Sequence, residues 1–411
     1  MKLLHTSDWH LGRTLYGKKR YDEFDAFLNW LIQVIEREEM DALIIAGDIF
    51  DTTTPSNRAQ ELYYNFLARV AACGTCRHIV IVAGNHDSPT FLNAPRDLLR
   101  AFNVHVVGHG DADTMDEQVL VLRNANATPE MIVCAVPYLR DKDLRTAEAG
   151  ESIADKERKL VEGIRGHYAR VAALAEQKKA ELGGNIPVVV TGHLFTAGGH
   201  IIDGDGVRDL YIGSLAHVTA GIFSACFDYV ALGHLHVPQR VGGSETIRYS
   251  GSPIPMGFGE AKQQKSLSHV QFRGSEASVR LIQVPCFQPL ERIQGDWEHI
   301  KKCLDEIAAR KDGAWVEVIY EGAEVLGDLR ERLETLTANR GLEILRVKNN
   351  RVMEQVLRQQ AAEETLEDLG VHEVFARCLD GLDLSEPQRM ELLQTHEETL
   401  ASLRNDDARA E

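Results

Sequence analysis

The chain has 411 residues, 44% hydrophobic and 26% charged, with a formal net charge of −17. That is the make-up of a soluble globular protein long enough for two or three domains, and no apolar run approaches the roughly 18 residues of a membrane span. The acidity is lopsided: residues 351–411 carry 15 acidic and 6 basic side chains, net −9, which leaves −8 on the other 350, so the total does not exclude a nucleic-acid partner.

The N-terminus runs straight into a polar motif and shows no signal peptide, so the expected compartment is the cytoplasm. Seven cysteines, odd in number and scattered, define no disulfide framework. Cys73 and Cys76 form a C-x-x-C. It reads as a redox pair, as half a zinc site lacking its second half, or as incidental buried thiols.

In chain order, Lys2–Ser7 reads as a first strand. Apolar residues then recur at helical spacing over 21–37, an apolar run at 41–47 suits a buried strand, a helix follows near 56–72, and 77–83 is another buried strand. This alternation predicts layered β-sheets flanked by helices, an α/β fold. Strands are expected at 104–107, 119–122, 131–136, 186–191 and 228–233, with a long polar helix over 153–182. Residues 197–206, rich in glycine and aspartate, predict a flexible loop. The stretches 246–250 and 269–283 predict closing antiparallel strands.

Cys286-Phe-Gln-Pro289 marks a boundary. The expected division is a catalytic domain over 1–285, a small β-α-β-α-β module over 286–349 and a helical tail over 350–411. In the tail, Val371, Val374, Phe375 and Cys378 make a helical stripe, and Ser385-Glu-Pro-Gln388 opens a last helix. So thin a core suits docking on a partner or on its own protein.

Five polar pieces each follow the end of an expected strand: Asp8-x-His10; Gly47-Asp48-x-x-Asp51; Gly84-Asn85-His86-Asp87; Gly192-His193; and Gly233-His234-x-His236. The ends of parallel strands are where α/β sheets place their sites. Side chains two apart on extended chain share a face, which pairs Asp8 with His10 and His234 with His236. Taken singly, each piece is an ordinary turn or a structural histidine. Together they supply carboxylates, an amide oxygen and imidazoles without a thiolate, a donor set for Mn, Fe or Zn rather than an iron–sulfur cluster. There are too many donors for one ion and enough for two. Two-metal sites clamp a phosphoryl group and make hydroxide at neutral pH. Their charge would attract a phosphate ester even to an acidic chain. Basic residues also cluster at Arg13, Lys18, Lys19 and Arg20, and at Arg140, Lys142 and Arg145; each cluster reads as a phosphate contact or as a solvated face.

The ordered set D-x-H, G-D-x-x-D, G-N-H-D, G-H, G-H-x-H over residues 8–236 resembles the calcineurin-like metallophosphoesterases. With His5-Thr-Ser-Asp-Trp-His-Leu-Gly12, Ala46–Asp51, Ala83–Ser88, Tyr211-Ile-Gly213 and Tyr249-Ser-Gly-Ser-Pro253, it looks like the SbcD family of nuclease subunits. The resemblance implies that Asp8, His10 and His236 hold one metal. Asn85, His193 and His234 hold a second, and Asp48 bridges both. It further implies that His86 is no ligand but protonates the leaving oxygen or stabilises phosphate charge, and that Asp51 orients His86. Two Mn²⁺, with other divalent ions as substitutes, are the implied cofactors.

The implied partners are an SbcC-like ABC-type ATPase with a coiled coil, seated on the tail, and DNA as duplex ends, hairpins and single strands. A homodimer through helices of the nuclease domain, inside a heterotetramer without membrane contact, is implied as well. The implied activity is 3′→5′ exonuclease action on duplex DNA, single-strand endonuclease action and hairpin opening in replication, recombination and repair. One departure bears on the substrate. Ser/Thr phosphatases of the superfamily follow G-D-x-x-D with Arg-Gly, whereas Asp51 is followed by Thr52-Thr53-Thr54. Loss of that arginine favours a diester over a small monoester. A stand-alone diesterase for cyclic nucleotides would explain the metals but not residues 287–411. A structural subunit with a vestigial site is opposed by the complete donor set.

Overall fold

The structure, a computed structural model, describes residues 1–144, 151–196, 218–310, 313–322, 326, 328–349 and six positions beyond, of which the first is Phe375. The expected loop at 197–206, Arg145, and the tail motifs at 371, 374, 378 and 385–388 lie outside the described residues. The chain divides into two units, Met1–Leu290 and Glu291–Glu411.

The first unit is a pair of stacked six-stranded sheets. In the first, Lys2–Thr6, Ala42–Ala46, His78–Val82 and Val104–Val107 run parallel, and the hairpin of Ser266–Arg273 and Glu276–Gln283 closes one edge. The second sheet has Val119–Arg123, Pro129–Cys134, Val188–His193, Tyr229–Gly233, Ile247–Tyr249 and Gln239–Arg240 in spatial order. Ala42–Ala46 and His78–Val82 are buried along their whole length, because a parallel sheet is covered on both faces. Leu3, Ile44 and Val80 meet Met131, Val133, Val189 and Ala231 between the sheets. Each such aliphatic side chain, once fully buried, contributes about 1.5–3 kcal/mol.

On the far face of the first sheet, helix Tyr21–Glu38 buries Phe24, Phe27, Leu28, Leu31, Ile32 and Ile35 at the predicted three-to-four spacing. It stops where Glu39 turns left-handed at φ 53°. Helix Asn57–Cys73 starts on Ser56, whose hydroxyl accepts from the Ala59 N–H. Trp9 sits edge-on between Phe27 and Phe66 and donates from Nε1 to Thr6 Oγ1 at 3.0 Å. The site-bearing loop after the first strand is thereby anchored to both helices.

The closing strands are antiparallel as expected: Ser266–Arg273 and Glu276–Gln283 form a hairpin, and Ile247–Tyr249 pairs antiparallel with Gln239–Arg240 and, on its other side, parallel with Tyr229–Gly233. One expectation changes. Arg20, expected on a basic surface, is 2% exposed and ion-paired with Glu23 at 2.8 Å. Cys73 and Cys76 are free thiols, and burial pushes the Cys76 thiol up to about 12, so Cys76 is no reactive thiolate.

In the second unit, Leu290–Gly295, Ala314–Tyr320 and Leu342–Asn349 form a three-stranded sheet, with helices Trp297–Arg310 and Leu329–Thr337. Its own core includes Ile293, Ile300, Leu304, Val316, Val318 and Leu333. No helix among the described residues is long and apolar enough to cross a membrane.

Candidate metal centre

Five strands of the first unit deliver their C-terminal ends to one place. After Thr6 the chain does not leave the sheet at once. Asp8 N donates to Gly47 O at 3.0 Å, His10 N to Asp48 O at 3.0 Å and Leu11 N to Ile49 O at 2.9 Å. The loops carrying Asp8-x-His10 and Asp48 are therefore zipped together. Asp87 adds a third loop: its carboxylate accepts from Ile49 N, Phe50 N and Gly84 N at 3.1, 3.0 and 2.8 Å.

This crowding is accompanied by backbone strain. Asp8, His10, Asp48 and His234 all have positive φ, at 53°, 48°, 49° and 99°. L residues rarely adopt that region, and it persists where the surroundings over-determine it, commonly at functional sites. Glycine is required at the closest approaches. A Cβ on Gly84 would lie 2.1 Å from Asp48 Oδ1, and one on Gly233 1.9 Å from Ala46 O.

The side chains converge around Asp48, and one of the groups whose donor atoms lie within 4.8 Å of one another is His10, Asp48 and His86. Donor atoms of Asp8, His10 and His236 lie within 4.8 Å of one another, as do those of Asp8, Asp48 and His193. His10 Nε2 and His236 Nε2 face each other at 3.2 Å, and His10 Nε2 is 3.6 Å from Asp48 Oδ2. On the other side, His193 Nε2 is 3.3 Å from Asp48 Oδ2 and 2.9 Å from Asn85 Oδ1. His234 Nδ1 meets the same Asn85 oxygen at 3.1 Å. Asp8 is fixed by Ser7 Oγ and the His234 N–H at 2.5 and 2.9 Å, and Asp48 by the His86 N–H at 2.8 Å.

The donor set fits cations. Asp8 and Asp48 are 0% and 2% exposed, and no lysine or arginine among the described residues lies within ion-pair distance of either. Buried carboxylates without a permanent cation beside them are costly. Burial pushes His10 down to about 4 and His234 to about 3, so both rings are neutral near pH 7, the state in which imidazole ligates. Burial would lower His193 too, but Asp48 beside it holds it up to about 9, while Asp48 itself is held well below the usual carboxylate range against its burial by His193. The pocket favours positive charge at that point.

The remaining two candidate residues stand beside these groups. His86 is half-buried, and its Nδ1 donates to the main-chain O of Asp51 at 2.8 Å, which leaves Nε2 as the atom to meet a substrate. Its ring lies edge-on to His10, centroids 4.8 Å apart. The Asp51 carboxylate instead faces His10 Nδ1 at 3.3 Å and Arg13 Nη1 at 3.2 Å. Arg140, from the second basic cluster, donates to Asp87 O at 3.4 Å. Sequence reasoning missed two buried residues here, Glu260 and Lys265. They lie in an aperiodic stretch after the last motif and carry no spacing that would single them out. Burial would raise Glu260, but Lys265 and His236 hold it down to about 2.

Similarity to known proteins follows the same division. Residues 1–238 match the family described as calcineurin-like phosphoesterase. Residues 286–381 match one described as type 5 capsule protein repressor C-terminal domain. The D subunit of the nuclease SbcCD of Escherichia coli (strain K12) is 36% identical over 403 residues, 96% of this chain and 97% of that protein. Its counterpart in Bacillus subtilis (strain 168) is 32% identical over 332 residues, 79% of this chain and 80% of its own. A crystal structure described as a dimetal phosphatase from Danio rerio aligns with 70% of this chain and 97% of its own, at 14% identity and a TM-score of 0.40, a likeness too slight to argue from.

Proposed function

The chain belongs to the calcineurin-like phosphoesterases and, within them, to the D subunits of the SbcCD nuclease, and from that premise we propose that it is a manganese-dependent DNA nuclease working with an SbcC-like ATPase. The observation that carries this reading is the convergence of six donor groups on the two sides of a buried Asp48. Asp8, His10 and His236 would hold one ion, Asn85, His193 and His234 the other, with Asp48 between them. Bound divalent ions supply charge neutralisation of the phosphodiester and an activated water at neutral pH.

The chain's own residues do the rest. His86, its Nδ1 held by Asp51 O at 2.8 Å, presents Nε2 to the leaving oxygen and gives it a proton. Asp51 turns His10 through its carboxylate and His86 through its carbonyl. Arg13 and Arg140 flank the centre, and Lys18 and Lys19 extend the basic surface along which a phosphate backbone is gripped.

The module after residue 290 aligns DNA, and the tail beyond 350 seats on the ATPase. Helix Asn57–Cys73 and the segment after it form an apolar patch lined by Tyr64, Leu67, Ala71 and a 57% exposed Phe102, suited to a homodimer within a heterotetramer. The substrates are duplex ends, degraded 3′→5′, together with single strands and hairpins.

The test is incubation with hairpin-ended linear duplex DNA and Mn²⁺, with and without the ATPase and ATP. Digestion and hairpin opening that need ATP and the partner are the expected result. Hydrolysis of cyclic nucleotides with intact DNA would overturn the reading in favour of a small-diester enzyme.

A further inference from the structure

One buried ion pair touches the centre and has no role in the function proposed above. Glu260 and Lys265 precede strand Ser266–Arg273 and are 0% and 3% exposed. Lys265 Nζ lies 2.5 Å from Glu260 Oε2 and donates to the main-chain O of His236 at 2.9 Å and to Ser252 Oγ at 3.0 Å. Glu260 Oε2 also accepts from Met256 N at 3.0 Å. Its second oxygen, Oε1, accepts no close hydrogen bond and lies 3.6 Å from His236 Nδ1.

Buried pairs of this kind are weak sources of stability, since apolar side chains of similar volume often do as well. What this pair has that an apolar pair would lack is direction, because both of its charges reach the same histidine. Lys265 holds the His236 carbonyl, and Glu260 faces the ring.

The other rings of the centre show what such a contact does. His193 is set by Ala46 O on its Nδ1 at 3.0 Å, His86 by Asp51 O at 2.8 Å, and His10 by the Asp51 carboxylate at 3.3 Å. In His193 and His86 a hydrogen bond from Nδ1 leaves Nε2 to the cluster. His10 Nδ1 and His236 Nδ1 each face a carboxylate oxygen at longer range, Asp51 at 3.3 Å and Glu260 at 3.6 Å, without a close hydrogen bond.

We propose that Glu260, held in place by Lys265, is a positioning residue that keeps the His236 proton on Nδ1 and aims the Nε2 lone pair at the point where it meets His10 Nε2. The inference rests on the two-cation reading. It differs from that reading in being a statement about one of the two positions only. Acceptors behind metal-bound histidines fix tautomer and ring orientation, and their loss weakens metal affinity by about 10- to 100-fold.

Two measurements on the full chain test it. Long-range ¹⁵N–¹H NMR of the ion-free protein, with the His236 signal identified by its loss in His236→Asn, is expected to show the proton on Nδ1. A proton on Nε2 would overturn the proposal whether or not any variant folds. Calorimetric titration with Mn²⁺ then compares Glu260→Leu/Lys265→Met, which keeps the volume and removes the acceptor, with Glu260→Gln/Lys265→Met, which restores an acceptor oxygen. The leucine variant is expected to bind one ion about 10- to 100-fold more weakly and the other as before, and the glutamine variant to recover most of the loss. Unchanged binding of both ions by the leucine variant, or equal losses in the two variants, would overturn the inference while leaving the two-cation reading intact. Wild-type protein that takes up fewer than two ions would remove the reading itself, and this inference with it.

Discussion

Glu317 in the C-terminal module and Asp48 in the phosphoesterase unit are both buried acids, and their surroundings treat them in opposite ways. Glu317 is 0% exposed, with Arg292 Nε at 2.5 Å, Arg346 Nη1 at 3.1 Å and Lys348 Nζ at 3.9 Å. Its counter-charges are built into neighbouring strands of the same sheet. Among the described residues, Asp48 has imidazoles, a backbone N–H and a left-handed backbone around it, and no lysine or arginine. An acid flanked by permanent cations is complete as folded, and one flanked by imidazoles, which can give up a proton and ligate, is a place for a cation from outside. Strain makes the same distinction, because the positive φ values of Asp8, His10, Asp48 and His234 all fall at the second kind of acid.

The contrast breaks most visibly at Asp48. Asp48→Asn is expected to lower phosphodiester cleavage by about 10³-fold, the scale of losing a preorganised electrostatic group, and to leave fewer than two Mn²⁺ bound by calorimetry. Undiminished uptake of both ions would place Asp48 with Glu317 as a structural acid. His86→Gln is expected to cost roughly 10²- to 10⁴-fold in cleavage while calorimetry still counts two Mn²⁺. Loss of an ion on that change would make His86 a ligand.

Glu317→Ala should do the reverse of Asp48→Asn. It leaves three cations around a vacated position, but their side chains are about one-third exposed and reach water, so the expected destabilisation is only about 1–3 kcal/mol. Urea unfolding should register it, and hydrolysis of a small chromogenic diester should not.

The smallest effect concerns buried histidines away from the centre. Burial holds His105 and His167 down to about 4, so below about pH 6.5 the unfolded chain takes up protons that the folded chain refuses. Stability is therefore full above about pH 6.5 and declines as pH falls toward 4. His105→Asn should flatten that decline by roughly 1–2 °C in melting temperature. A steeper decline in the variant would contradict the sign.

What could be read from the sequence followed from what chain-local patterns encode. The runs at Ala42–Ala46 and His78–Val82 are apolar because both faces of a parallel strand are covered, and the metal-loving residues just past them stand at strand ends for the same topological reason. That Ile247–Tyr249 has a parallel partner on one side and an antiparallel one on the other was not legible, since both impose the same alternation on a three-residue strand. Nor was the burial of Arg20, Glu260 and Lys265. A buried charge is recognisable only beside its partner, and spacing along the chain records no partner. Asp51 shows the limit at finer scale, because its position in G-D-x-x-D does not say which histidine its carboxylate faces and which its carbonyl.

The most direct test of the account is anomalous scattering from a crystal of the full chain soaked in manganese. Two peaks about 3.5–4 Å apart, one on each side of the Asp48 carboxylate, with Asp8, His10 and His236 around one and Asn85, His193 and His234 around the other, are the expected result. No peak, or a single ion that leaves Asp48 uncontacted, would contradict it.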